Sequence, residues 1–175
     1  MTLTDTRLYF RGTRPVRRTN FPAGEAASPR TLRAAIEEAV DKIEDDALDL
    51  LLPNNFMTLN QARAVLASLT LCYARQIYKS KDTAVVVARD LSFPSLYGGK
   101  VPDATVLRRF RAQNTDPLRR SLTAALHFLV EQKVLLGVVT KARLPQIAEE
   151  ASRRIIMAMF VDSIDAEEEA ANAAR

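Results

Sequence analysis

Cysteine and histidine each occur once in this 175-residue chain, as Cys72 and His127, and tryptophan is absent. A single cysteine excludes an intrachain disulfide framework, and the two residues together are too few for a Cys/His zinc cluster. Five glycines and eight prolines leave little material for the tight hairpins of an all-β protein. The acidic run from Glu37 to Asp49 has no turn glycine of the kind calcium loops need. Glu37, Glu38, Asp41, Glu44, Asp45 and Asp46 therefore read as a solvated helix face. Gly98 and Gly99 precede Lys100 without the rest of a Walker phosphate loop. No metal, cofactor or small-molecule substrate is expected, and the chain reads as non-catalytic. No apolar run approaches the roughly 18 residues that cross a bilayer. The opening MTLTDTRLYF has no basic segment leading into a long apolar one, so no secretory signal is expected. The expected location is cytoplasmic and nucleoid-associated, without membrane contact.

What is present is ordinary in amount and uneven in distribution. A hydrophobic content of 47% with 26% charged residues fits a soluble globular chain, and the length suits one moderate domain with appendages. The formal net charge is +4. Between Met1 and Ser28 stand Arg7, Arg11, Arg14, Arg17 and Arg18, opposed only by Asp5 and Glu25. Between Gly98 and Arg120 stand Lys100, Arg108, Arg109, Arg111, Arg119 and Arg120, opposed by Asp103 and Asp116. Acidic charge gathers in Glu37–Asp49 and again in Asp162–Glu169. Such polarity points to an anionic partner on the basic side.

Hydrophobic spacing predicts an all-α fold. Residues 1–27 carry Gly12, Pro15, Pro22 and Gly24 with no sustained period, and read as an extended basic arm laid along phosphates or in a minor groove. Ser28 and Pro29 are expected to open a helix whose stripe is Leu32, Ile36, Val40, Ile43, Ala47 and Leu50, ended by Pro53. Thr58 and Gln61 have capping-box spacing, ahead of a central core helix through Leu66, Leu69, Tyr73 and Ile77. Asp82 is expected to cap a short helix to Leu91. A brief turn over 93–98 and a helix launched by Pro102 and Asp103 follow. Asp116 and Pro117 begin a longer helix stopped by Gly137, and Pro145 begins the last. His127 has no evident acid partner and reads as a packing residue, and Cys72 reads as a buried thiol.

The short helices within about 82–114 have the dimensions of a helix-turn-helix. On a wheel at 100° per residue, Val106, Leu107 and Phe110 form one side and are assigned to the core. Thr105, Arg108, Arg109 and Ala112 fall on the other. Arg111 falls at the boundary, with a stem long enough to reach a phosphate. A recognition helix needs such a flank, with guanidinium forks for guanine and a small residue for close approach. The expected DNA-contacting residues are thus Thr105, Arg108, Arg109 and Arg111, with Lys100, Arg119, Arg120, Arg14, Arg17 and Arg18 on phosphates.

The stretch from Leu66 to Asn114 also resembles the N-terminal region of bacterial DDE-type insertion-sequence transposases. The resemblance rests on Tyr78, Lys79, Ser80 and Lys81 after an apolar helix, then Arg89, Asp90, Leu91 and Phe93. Gly98, Gly99, Pro102 and Asp103 come next, and finally the Arg-Phe-Arg element Arg109, Phe110 and Arg111. Ser92 and Ser95 depart from it. The resemblance implies a DNA-binding region that precedes a ribonuclease-H-like nuclease, with Arg108, Arg109 and Arg111 on DNA. DDE chemistry needs three carboxylates around two metal ions. Asp165, in FVDSIDAEEEAANAAR, stands where the first would be, and one carboxylate cannot assemble that site.

The expected layout is a basic arm over 1–27, a helical DNA-binding domain over 28–137 and a C-terminal helix over 138–175. Apolar residues from Ile155 to Val161 circle nearly the whole girth of that last helix, which predicts a homodimer. Two functions are open. One is a non-catalytic, sequence-specific DNA-binding protein acting in transcription or transposition. The other is a helical protein-interaction module with incidental DNA affinity.

Overall fold

The computed structural model describes residues 30–52, 55–89, 101–135 and 143–173. The arm over 1–27, Lys100, the turn over 93–98 and Gly137 lie outside the described residues. Six α-helices account for most of what is described: α1 Leu32–Asp41, α2 Leu59–Ala74, α3 Ser80–Arg89, α4 Ala104–Gln113, α5 Thr115–Leu135 and α6 Leu144–Ala173. Two short antiparallel segments, β1 Leu51–Leu52 and β2 Asn55–Phe56, pair Leu51 with Phe56 between α1 and α2. The chain is mostly helical, as the spacing predicts.

The capping box is present at the start of α2. Thr58 Oγ1 accepts from Gln61 N at 3.3 Å, and Gln61 Oε1 accepts from Thr58 N at 3.0 Å. Behind it Ala62, Val65, Leu66, Leu69, Cys72 and Tyr73 are buried on several sides, because α2 touches all five other helices. Helix α5 closes the core from the far side with Leu118, Leu122 and Ala125, packing against α1, α2 and α6. A buried hydroxyl pair, Thr70 Oγ1 and Ser121 Oγ at 2.7 Å, joins α2 to α5.

Helix α1 differs from its expected extent. Thr31 caps it, accepting from Ala34 N at 3.2 Å, and it stops at Asp41. Continuing to Leu50 would place Glu44, Asp45, Asp46 and Asp49 at the negative end of the helix dipole. The chain instead makes a 3₁₀ turn at Asp45–Ala47. Arg63 of α2 holds that turn, donating to Ile43 O at 3.2 Å and pairing with Asp41 and Asp45. Ile43 is still buried and Ala47 and Leu50 pack against the core, so the stripe survives although the helix does not.

Helix α2 also ends earlier than its stripe implies. Ile77 N donates to Cys72 O at 2.8 Å and Gln76 N to Tyr73 O at 3.1 Å, with Gln76 at φ 64°. This is the Schellman arrangement, whose left-handed position favours glycine. A residue with a Cβ costs about 1–2 kcal/mol there, partly offset by the extra freedom glycine brings to the unfolded chain. Gln76→Gly is therefore expected to raise unfolding stability by about 0.5–1 kcal/mol. Urea denaturation checks this, and an unchanged or lowered midpoint would count against the turn geometry.

Helix α4 is capped by Asp103, which accepts from Val106 N at 2.8 Å. A single residue, Asn114, separates it from α5. Fully buried, Asn114 accepts from Asp49 N at 2.8 Å and donates to Asp49 O and Phe110 O at 3.1 Å. That amide ties the α4–α5 corner to the segment after α1.

Candidate functional site

Helix α6 crosses the joint between α2 and α3 and satisfies both exposed helix ends. At the end of α2, Arg154 donates to the carbonyls of Tyr73 and Ala74 at 2.9 and 3.0 Å, and to Glu150 at 2.9 Å. At the start of α3, the Asp162 carboxylate accepts from Ser80 N at 2.9 Å and from Ser80 Oγ at 2.5 Å. Cation at a C-terminus and carboxylate at an N-terminus are the favourable placements for both dipoles.

The same carboxylate takes a third partner. Arg111 of α4 reaches Asp162 Oδ2 at 2.8 Å and donates to Tyr73 Oη at 2.9 Å. Both charged residues are only 4% exposed, so neither is available to a ligand while the other stays in place. Asp165, one turn further along α6, pairs with Lys79 at 2.6 Å and Lys81 at 3.0 Å. Arg108 stands between the carboxylates, 3.8 Å from each. The junction thus joins α2, α3, α4 and α6 through four cations and two carboxylates.

The hydrogen bond from Lys79, with Lys81 beside it, holds the Asp165 carboxyl below the usual carboxylate range. Asp165 in turn raises Lys79. Burial pushes the Tyr73 phenol up to about 12, so it stays protonated. The Cys72 thiol, also buried, is pushed up to about 11 and is no nucleophile. The arrangement fixes elements relative to one another. Its pH dependence follows. A depressed Asp165 contributes stability that is present above its unfolded value near pH 4 and lost as pH falls through its lower folded value. The raised Lys79 contributes below its unfolded value of about 10.4, lost as pH rises through the folded one. Thermal melts are expected to show a plateau between these limits, and Asp165→Asn should shallow the acid limb. An unchanged limb in that variant would contradict the pairing.

The sequence-predicted contact residues divide accordingly. Thr105 and Arg109 are exposed on α4, beside Ala112. Arg108 turns toward the carboxylates of α6, with 26% of its side chain exposed, and Arg111, expected at a phosphate, is a correction: it is buried against Asp162. A helical wheel assumes one packed side, whereas α4 packs on two, with Leu107 and Phe110 in the core and its arginines on α6. Arg119 is exposed and pairs with Asp116 of its own helix at 2.9 Å. Arg120 lines a 480 Å³ cleft between α1 and α5 with Arg30, Glu38, Lys42 and His127. Arg14, Arg17, Arg18 and Lys100 lie outside the described residues. His127 is a further correction: it stands half-exposed with Nδ1 3.5 Å from Glu131, one turn away.

Sequence reasoning missed Asp162, Ser80 and Tyr73. The signal was available in part. Ile155, Ala158, Asp162 and Asp165 recur at helical spacing on the buried face of α6, and a carboxylate inside an apolar stripe requires a buried partner. The segment around Asp165 is helix, and both aspartates of VDSID hold neighbouring helices.

The opposite face of α6 is apolar and open. Ile156 is 64% and Phe160 60% exposed, and Met157, Met159 and Ile164 are exposed with them. No helix among the described residues is long and apolar enough to cross a membrane. Comparison with family models, curated proteins and solved structures finds no match.

Proposed function

We propose that this chain is a helical protein-interaction module whose working surface is the outer face of α6. One observation carries the reading: five large apolar side chains stand exposed between Ile156 and Ile164 of a single helix that cannot turn them inward. Rotation about the helix axis would bury Phe160 only by withdrawing Asp162 and Arg154 from Arg111, Ser80 and the end of α2. Uncompensated buried charge costs several kcal/mol. The ionic junction therefore acts as the support that holds the apolar face outward. Contiguous exposed apolar surface on a folded chain marks a contact with another macromolecule.

The test is a photo-crosslinking residue in place of Phe160 in living cells, with the same residue in place of Ala112 as control. Protein adducts that form at 160 and not at 112 are expected. No adduct at 160 would sink the reading.

A second reading, sequence-specific contact with duplex DNA in transcription or transposition, is supported by the exposure of Thr105 and Arg109 on α4 and of Arg119 and Arg120 on α5, together with the transposase resemblance. Its footprint leaves out Arg111. Retention on duplex DNA that collapses between low and moderate salt supports it. Arg109→Ala should then cost about 1–3 kcal/mol at one base position. Unchanged site preference and affinity would remove it.

A further inference from the structure

We infer that the occupant of the outer α6 face is a second copy of this chain, docked antiparallel about a two-fold axis at Phe160; this rests on the interaction-module reading above. At 100° per residue, Arg153, Ile156, Met157, Phe160, Ile164 and Glu167 share an arc of roughly 100°. It lies opposite the inner stripe Ile147, Ala151, Ile155, Ala158 and Asp162. Two pairs of its members are placed symmetrically about Phe160, while Met157, three residues before it, is matched by Ser163. Ile156 lies four residues before Phe160 and Ile164 four after, with Arg153 seven before and Glu167 seven after.

That symmetry makes the face complementary to itself when reversed. A two-fold axis through the Phe160 pair sets Ile156 of each copy against Ile164 of the other, and Arg153 against Glu167 twice. A parallel, in-register pair would instead oppose Arg153 to Arg153 and Glu167 to Glu167, which is repulsive. Sliding an antiparallel pair by one turn sets the guanidinium against the apolar Ile164 and takes Glu167 out of its reach. An isologous contact of this kind places every attractive pair in duplicate. Arg153 is 66% exposed at its side chain and pairs within its own helix with Glu150 at 2.9 Å and Glu149 at 3.8 Å. It can turn to the partner without leaving a buried site. Rim pairs of this type set orientation more than affinity. The distance from Arg153 to Glu167 along one helix is about 21 Å, so the two cannot meet within one chain. A single helix pair of that length gives an interface at the small end of specific ones, hence a weak and concentration-dependent dimer.

Sedimentation equilibrium of the full chain over a wide concentration range reads the dimer directly. Phe160→Glu is expected to leave a monomer with unchanged helicity, since the residue is exposed. Arg153→Glu and Glu167→Arg should each weaken the dimer by about tenfold or more, through two repulsive pairs. The two reversals together should restore it to within about threefold of the parent chain. A parent chain that stays monomeric throughout overturns the inference, as does a dimer in which the double reversal is no tighter than the single ones. The mass of the adduct at position 160 separates this inference from the reading beneath it. An adduct of twice the chain mass supports a second copy. One formed only with a different protein overturns the second copy and leaves the module in place.

Discussion

Asp162→Ala is expected to destabilise the protein by about 3–5 kcal/mol, the range for removing one member of a buried ion pair. The loss has two sources. Arg111, 4% exposed, is left charged with Tyr73 Oη as its remaining partner, and the start of α3 loses both bonds from Ser80. Arg111→Met should cost a comparable amount, because Asp162 then keeps its charge with only Ser80 at hydrogen-bonding distance. The double variant Asp162→Leu with Arg111→Met should recover most of the loss. Desolvating two charges is costly, and Arg111 Nε has no hydrogen-bond partner even in the intact junction. The junction is thus a device for position more than for net stability. Urea unfolding of the parent chain, Asp162→Leu, Arg111→Met and the double variant gives the coupling directly. A cost below about 1 kcal/mol for Asp162→Ala would mean that Arg111 is not held there. Its guanidinium would then return to the exposed face of α4 as a candidate contact with nucleic acid.

Local signals in the sequence are kept in part: Asp82, expected to cap α3, lies inside it, because the helix begins at Ser80 with Asp162 at its start. Thr58 with Gln61 and Asp103 with Val106 cap their helices as their spacing implies, because a cap is decided within four residues. The stripe from Leu66 to Tyr73 is the centre of the core for the same reason: apolar periodicity is a property of the helix that carries it. The errors lie where the partner is distant in sequence. Nothing near Asp41 shows that Arg63 will hold the following turn, so α1 was expected to run on. Nothing near Arg111 shows that Asp162, fifty-one residues later, will receive it. Charge on a wheel says which side a residue leaves the helix, and only tertiary packing says what stands on that side. The outer face of α6 was legible for a related reason. A helix apolar around its whole girth cannot hide both sides in one small core, whatever its neighbours are.

The Arg-Phe-Arg element gives the sharpest separation of roles, since three adjacent residues are expected to behave in three ways. Phe110→Ala should cost about 3–5 kcal/mol, because the ring is 1% exposed and its removal leaves a cavity beside Leu107 in a core that α2 and α5 hold in place. The backbone at this position adds to the demand: Phe110 O accepts from Asn114 Nδ2, so the surroundings cannot collapse without disturbing the α4–α5 corner. Arg111→Ala should cost several kcal/mol through charge, not volume, and its loss should be largely relieved by a second change at Asp162 where the Phe110 loss is not. Arg109→Ala, on the exposed flank, should lie within about 0.5 kcal/mol of the parent chain. Denaturation of the three variants, with and without Asp162→Leu, distinguishes these causes. Comparable losses at all three positions would show that α4 is gripped on every side and has no free flank. Loss at Phe110 and Arg111 alone would assign two-thirds of the element to building the fold, leaving Arg109 as the residue whose conservation or loss of duplex affinity decides the DNA reading.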